Sequence, residues 1–213
     1  VARDVIRPTL VSFAIDMATF PIGNEHVVLT FDETVNISSV LIAGITLRSN
    51  STGGASFTLS SSQAVGADGT SITVNMTKAD VDDLKRRDIC SVAEKCFVGV
   101  SDTAVVDMHG HQVVSAIRAV EVGAFTQDTT EPTLEEFRSF DFGNAAVVLS
   151  FNEPVDPSTV DLTKLTLLIS SIIKVQLTAG SISSDRSEII TVTLDIIDLN
   201  KIKSVAGGNI LCT

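Results

Sequence analysis

The stretch FDETVNISSVLIAGITL (Phe31–Leu47) is written a second time, 120 residues on, as FNEPVDPSTVDLTKLTL (Phe151–Leu167). Two segments with the same spacing of apolar residues bury the same faces, so what one folds into the other folds into. The likeness extends well beyond this pair. RPTLVSF (Arg7–Phe13) matches EPTLEEF (Glu131–Phe137), VVLTFDETV (Val27–Val35) matches VVLSFNEPV (Val147–Val155), and ITVNMTKADVDDLK (Ile72–Lys85) matches ITVTLDIIDLNKIK (Ile190–Lys203). The 213 residues suffice for two ordinary domains. The break falls in GAFTQDTTEP (Gly123–Pro132), where Gly, Thr, Asp and Pro interrupt the pattern. We therefore expect domains at 1–124 and 125–213.

Each copy reads as strands. Val27, Leu29 and Phe31 alternate with outward residues, as do Val147, Leu149 and Phe151; Ile72, Val74 and Met76 follow the same rule, as do Ile190, Val192 and Leu194. Period two marks a half-buried strand. One stretch departs from it. KADVDDLKRR (Lys78–Arg87) spaces Val81 and Leu84 at helical distance, with acids early and bases late, which complements a helix dipole; IIDLNKIK (Ile196–Lys203) repeats it. The expected fold is all-β: two tandem antiparallel β-sandwiches, each with one short connecting helix. Val, Ile, Thr and Ser enrichment agrees.

Composition narrows the function classes. The formal charge is −11, and it is shared: residues 1–124 carry 9 basic and 14 acidic side chains, residues 125–213 carry 6 and 12. That balance argues against nucleic acid or an anionic membrane as partner. No apolar run reaches the ~20 residues of a membrane span, so no membrane insertion is expected. There is no Trp and no Tyr, which removes the usual stacking platforms for sugars and bases. The chain starts at Val1 without a signal-peptide core and reads as a mature or excised portion of a longer precursor.

The pattern D-T-T-x-P-T-L … L-x-F-x-E-P-V-D-x-S-T-V … L-T-L … A-V-x-D-x-x-G-x-x-V resembles the Ig-like domains of surface-layer proteins and large adhesins. FNEPVDPSTV (Phe151–Val160) and AVVDMHGHQVV (Ala104–Val114) carry most of the resemblance, which covers both halves. The chain departs from it at His111, where the family often has Asn in a D-x-x-G-N turn. Tandem pairs of this kind more loosely resemble protomers of glycosylated extracellular filaments. The resemblance implies Ig-like sandwiches, an extracellular or cell-surface location and a spacer, stalk or fibre role rather than catalysis.

In copy one, Phe97–Val122 supplies two further strands and their turn; in copy two, Lys203 corresponds to Lys85 and ten residues follow. The second sandwich is therefore expected to lack its terminal strands, leaving a groove and unpaired backbone groups that template another chain's strand. Three readings stay open: a neighbour's strand fills the groove, the chain is a fragment, or copy two closes itself with fewer strands. On the first, copies join head to tail, and Val1, Val5 and Ile6 in the N-terminal stretch VARDVIRPTL are the candidate donor.

No nucleophile elbow, P-loop, dinucleotide fingerprint, H-E-x-x-H or C-x-x-C occurs, and we expect no enzyme. Asp107, His109 and His111 in DMHGH could hold a metal but read as a tight turn; no metal site and no cofactor is expected there. Asp32–Glu33 and Glu153 could do acid–base work, yet Glu33 and Glu153 recur at equivalent places, as structural residues do. The acidic linker Asp128–Pro132 offers hard oxygen ligands for Ca²⁺. The sequons NIS at Asn36, NST at Asn50 and NMT at Asn75 fall on predicted outward positions, so N-linked glycans are expected there. Cys90 and Cys96 enclose a short loop, and Cys212 stands apart. In a secreted chain the first two would pair and Cys212 be left over; in a reducing compartment all three would be buried thiols. The extracellular class favours the Cys90–Cys96 bond. The expected function is a structural subunit of a filament or surface assembly, with an adhesin stalk segment as the alternative.

Overall fold

The computed structural model describes residues 4–18, 25–116, 119–170 and 172–205. It is mostly β, with several antiparallel sheets and no closed barrel. The chain divides into two compact units, Val1–Thr130 and Glu131–Thr213.

The first unit contains β1 (Leu10–Asp16), β2 (His26–Val35), β3 (Ile45–Arg48), β4 (Ser56–Thr58), β5 (Gln63–Val65), β6 (Gly69–Asn75), helix α1 (Lys78–Arg86), β7 (Phe97–Val100), β8 (Val120–Glu121) and β9 (Ala124–Thr126). One sheet runs β5-β6-β2-β1-β9 and the other β4-β3-β7-β8. The alternation read in the sequence sets their register: Phe13 lies opposite Leu29, Leu29 opposite Ile72, and Val27 opposite Val74. The inward residues of both sheets, with Val81 and Leu84 of α1, join in a single core cluster. β9 pairs in parallel with β1, Phe125 beside Ile15. Residues 125–130 therefore stay with the first unit, which ends at Thr130 rather than at 124.

Helix α1 begins at Thr77, whose hydroxyl accepts the Asp80 amide, an N-cap that satisfies one orphan donor. Beyond it, a disulfide joins Cys90 to Cys96. The loop is tied further by the Cys90 amide on the Lys95 carbonyl and by a Lys95–Asp88 ion pair. Asp88 and Cys90 hold positive φ, +57° and +54°, a conformation uncommon for residues with a Cβ, and the closed loop holds them in it. Cys90→Ser/Cys96→Ser is expected to lose about 2–3 kcal/mol through the freer unfolded chain. Thermal melts of the first unit, oxidised and reduced, check this; equal midpoints would exclude a stabilising bond.

The second unit repeats the plan: β10 (Leu134–Asp141), β11 (Ala146–Val155), β12 (Thr166–Leu168), β13 (Lys174–Gln176), β14 (Gly180–Ile182), β15 (Ser187–Leu194) and α2 (Ile196–Val205). Its larger sheet runs β10-β11-β15-β14, and β12 pairs with β13. Leu149 lies opposite both Phe137 and Ile190, as Leu29 does between Phe13 and Ile72. A ladder irregularity falls between Leu10 and Ser12 in β1 and again between Leu134 and Glu136 in β10. Val147, Leu149, Val175, Ile190, Val192 and Ile202 of α2 form the second core. Among the described residues of this unit, nothing corresponds to β7, β8 or β9. Cys212 and Val1 lie outside the described residues.

Candidate functional site

The site is the open side of the second unit. In the first unit, β1 is flanked by β2 and β9, and β3 by β4 and β7. Among the described residues their counterparts have one partner each: β10 pairs with β11, and β12 with β13. One residue pair measures the consequence. Leu10 and Phe13 are 6% and 2% exposed, whereas Leu134 and Phe137 at the same places in the repeat are 48% and 50% exposed. Leu168 and Ile172, around the free edge of the smaller sheet, are exposed as well. The Phe140 and Phe142 rings pack on one another, centroids 4.3 Å apart, and lie against the second core. Apolar residues beside unpaired strand edges can accept a further strand, main chain to main chain with side chains in the vacant places.

The candidate donor is placed as follows. Val5 and Ile6 are 75% and 65% exposed. The chain is pinned just after them: the Arg7 guanidinium donates to the Gln112 and Val113 carbonyls, both at 2.8 Å, and the Val114 amide donates to the Pro8 carbonyl. Val5 and Ile6 thus stand in solvent between the pinned Arg7 and Asp4, which meets His109 at 3.5 Å.

The three sequons all reach the surface. Asn50 and Asn75 are exposed, and Asn36 is partly so. The Asn36 Oδ1 accepts the Ser38 amide at 2.9 Å, and Asp156 does the same for Ser158 in the second copy. This cap needs only the amide oxygen, and Nδ2, the atom a glycan would take, is not part of it.

The acidic candidates divide by role. Asp32 accepts the Thr9 amide and Asn152 the Thr133 amide, each at 2.7 Å, closing the same corner in both copies. Glu33 is different: its Oε1 is buried without a hydrogen bond. Burial, followed by the charges of Asp4, Asp107 and Asp32, holds its carboxyl above the usual range, with His111 partly offsetting them. Asp107 is 2% exposed and accepts the His109 and His111 amides and meets the His111 Nδ1 at 2.7 Å. Burial opposes its charge, but these bonds outweigh it and hold the carboxyl low. The His111 departure from the resembled turn thus keeps a partner for the turn's aspartate. Ligand atoms of Asp4, Asp107 and His109 lie within 4.8 Å of one another, a donor set that suits a divalent ion, although Asp107 already spends its oxygens on the turn. In the linker, Asp128 is committed to Lys85 at 2.6 Å and to the Thr130 amide; Ca²⁺ there would have to displace the lysine.

One duplicated feature was not singled out in the sequence. Asp80 and Asp198, each 1% exposed at the start of the helix, anchor it to the preceding loop. Asp80 accepts the amides of Ser60, Ser61 and Ser62; Asp198 accepts those of Thr178 and Ala179. The signal available was an aspartate on the apolar side of both aligned helices. No family model, curated protein or solved structure matches this chain.

Proposed function

We propose that the chain is a non-enzymatic structural subunit of an extracellular filament or surface assembly. It comprises two Ig-like β-sandwiches, and the second is completed by a strand from a neighbouring copy. The observation that carries this is the contrast between Leu10 and Phe13, buried, and Leu134 and Phe137, half exposed in the same local sequence. A copy that fills the second unit with a segment outside its own second unit makes a heterologous contact, and such contacts propagate into open filaments unless the rotation closes. The three surface sequons favour a glycosylated, extracellular setting, and the acidic surface favours a partner other than nucleic acid. Among the described residues no helix is long and apolar enough to cross a membrane.

Phe137→Lys is the direct test. The side chain is half exposed in the single chain, so the fold should change by less than about 0.5 kcal/mol, while a strand could no longer seat over it. Sedimentation and electron microscopy of concentrated protein are expected to show polymers that Phe137→Lys abolishes and that deletion of Val1–Ile6 also abolishes. Polymers indifferent to the deletion would exclude that donor; polymers indifferent to both changes would exclude the mechanism. A chain that stays monomeric at high concentration would favour a stalk segment of a longer adhesin.

A further inference from the structure

The outer face of the smaller sheet of the first unit holds a cavity unrelated to the open edges of the second. β3 turns Ile45 and Leu47 into the core, leaving Thr46 and Arg48 on the opposite face. Gly99 of β7 sits opposite Thr46, and its missing side chain leaves room. The cavity measures about 190 Å³ and is lined by Thr46, Arg48, Gly99, Ser101, Ala116 and Ala119 among others. Since a water takes roughly 30 Å³ of liquid, this space admits a compact organic group.

Arg48 is the unusual member. Its Nε is buried and lacks a hydrogen-bond partner, and among the described residues no carboxylate pairs with its guanidinium. Arg48 as a whole is partly exposed, but a buried donor left without an acceptor is costly, all the more notable in a chain carrying 26 acidic residues against 15 basic. The fold does not require it. The repeat places Leu168 where Arg48 stands, TLL (Thr166–Leu168) answering TLR (Thr46–Arg48). The strand itself forms with or without an arginine at this place.

The chemistry of the lining selects the ligand. A guanidinium presents donors in a planar fork that fits a carboxylate with two parallel hydrogen bonds. The hydroxyls of Thr46 and Ser101, bonded so far to Thr58 and Thr103, offer further donors at the rim. No aromatic ring is among the lining residues, so a sugar face has nothing to stack on. The net negative charge disfavours a dianion such as phosphate relative to a monoanion. We propose that this cavity is a binding site for a compact monocarboxylate, held by the Arg48 guanidinium with Gly99 keeping the space open.

The test uses the full chain and acetate as probe, read by the backbone amide resonances of Gly99 and Ser101. Acetate is expected to shift both saturably, while chloride at the same ionic strength does not. Arg48→Leu, the side chain the second copy carries, should abolish the acetate response and leave the rest of the spectrum in place. Gly99→Val should weaken it at least tenfold by filling the cavity while Arg48 remains. An equal response to chloride, no saturable shift with acetate, or an unchanged acetate response in Arg48→Leu would each overturn the assignment. Should either variant fail to fold, the comparison of acetate with chloride on the unaltered chain still decides.

Discussion

Asp80→Ala is expected to destabilise the first unit by about 3 kcal/mol or more. Asp80 Oδ2 receives the Ser60, Ser61 and Ser62 amides at 3.2, 3.1 and 2.9 Å. Oδ1 receives the Ser60 hydroxyl at 2.8 Å. Alanine would leave three loop amides without an acceptor, and Ser62 among them is buried. Asp198→Ala should cost less, about 2 kcal/mol, because only two amides depend on it. The pH dependence follows from the same bonds. Burial opposes the charge of Asp80, but hydrogen bonds from Ser62, Ser60 and Ser61 outweigh it and hold the carboxyl below its ordinary 3.8. A carboxyl with a lowered folded value stabilises the fold above its unfolded value and loses that contribution as pH falls through the folded one. The gap between the natural chain and Asp80→Ala should therefore be full at pH 7 and narrow below about pH 4. Since the chain has no Trp or Tyr, urea unfolding is best followed by circular dichroism or by amide resonances of the first unit. A gap below about 1 kcal/mol at pH 7, or one that is the same at pH 7 and pH 3, would contradict the account.

The strands and helices were legible because their signals are local. Val27, Leu29 and Phe31 alternate, and so do Ile72, Val74 and Met76; those residues are the ones that the sheets bury. Val81 and Leu84 lie one helical turn apart and face the core. The repeat made the second unit as readable as the first. What escaped the sequence depends on contacts distant along the chain. Asp80 reads as an ordinary first-turn acid until the Ser60–Ser62 loop, about twenty residues earlier, folds back on it. Arg48 reads as an outward strand residue until Gly99, Ala116 and Ala119, far along the chain, join it around one cavity. Phe125 looks like linker beside Gly123 and Thr126, whereas its pairing is with Ile15, 110 residues away. A parallel pairing of that reach leaves no mark on the intervening sequence.

Hydrogen exchange should report the asymmetry between the copies and then its removal on assembly. In the single chain, the amides of β1 and β3 that point to β9 and β7 are covered, whereas the outward amides of β10 and β12 meet no strand among the described residues. Exchange at covered sites needs the unit to open; at an exposed edge it needs only local fraying. The outward amides within Leu134–Asp141 and Thr166–Leu168 are expected to exchange faster than their counterparts in the first copy by on the order of a hundredfold or more. In polymer that has taken up a neighbour's strand, those amides should become protected, while β1 and β3 stay as they were. The apolar gain points the same way. Covering the exposed halves of Leu134 and Phe137 contributes about 1 kcal/mol each, and pairing the edge amides adds to it for every bond formed. Polymer whose new protection falls outside β10 and β12 would place the contact elsewhere on the molecule, and a single chain already protected along both edges would mean that the second unit needs no neighbour.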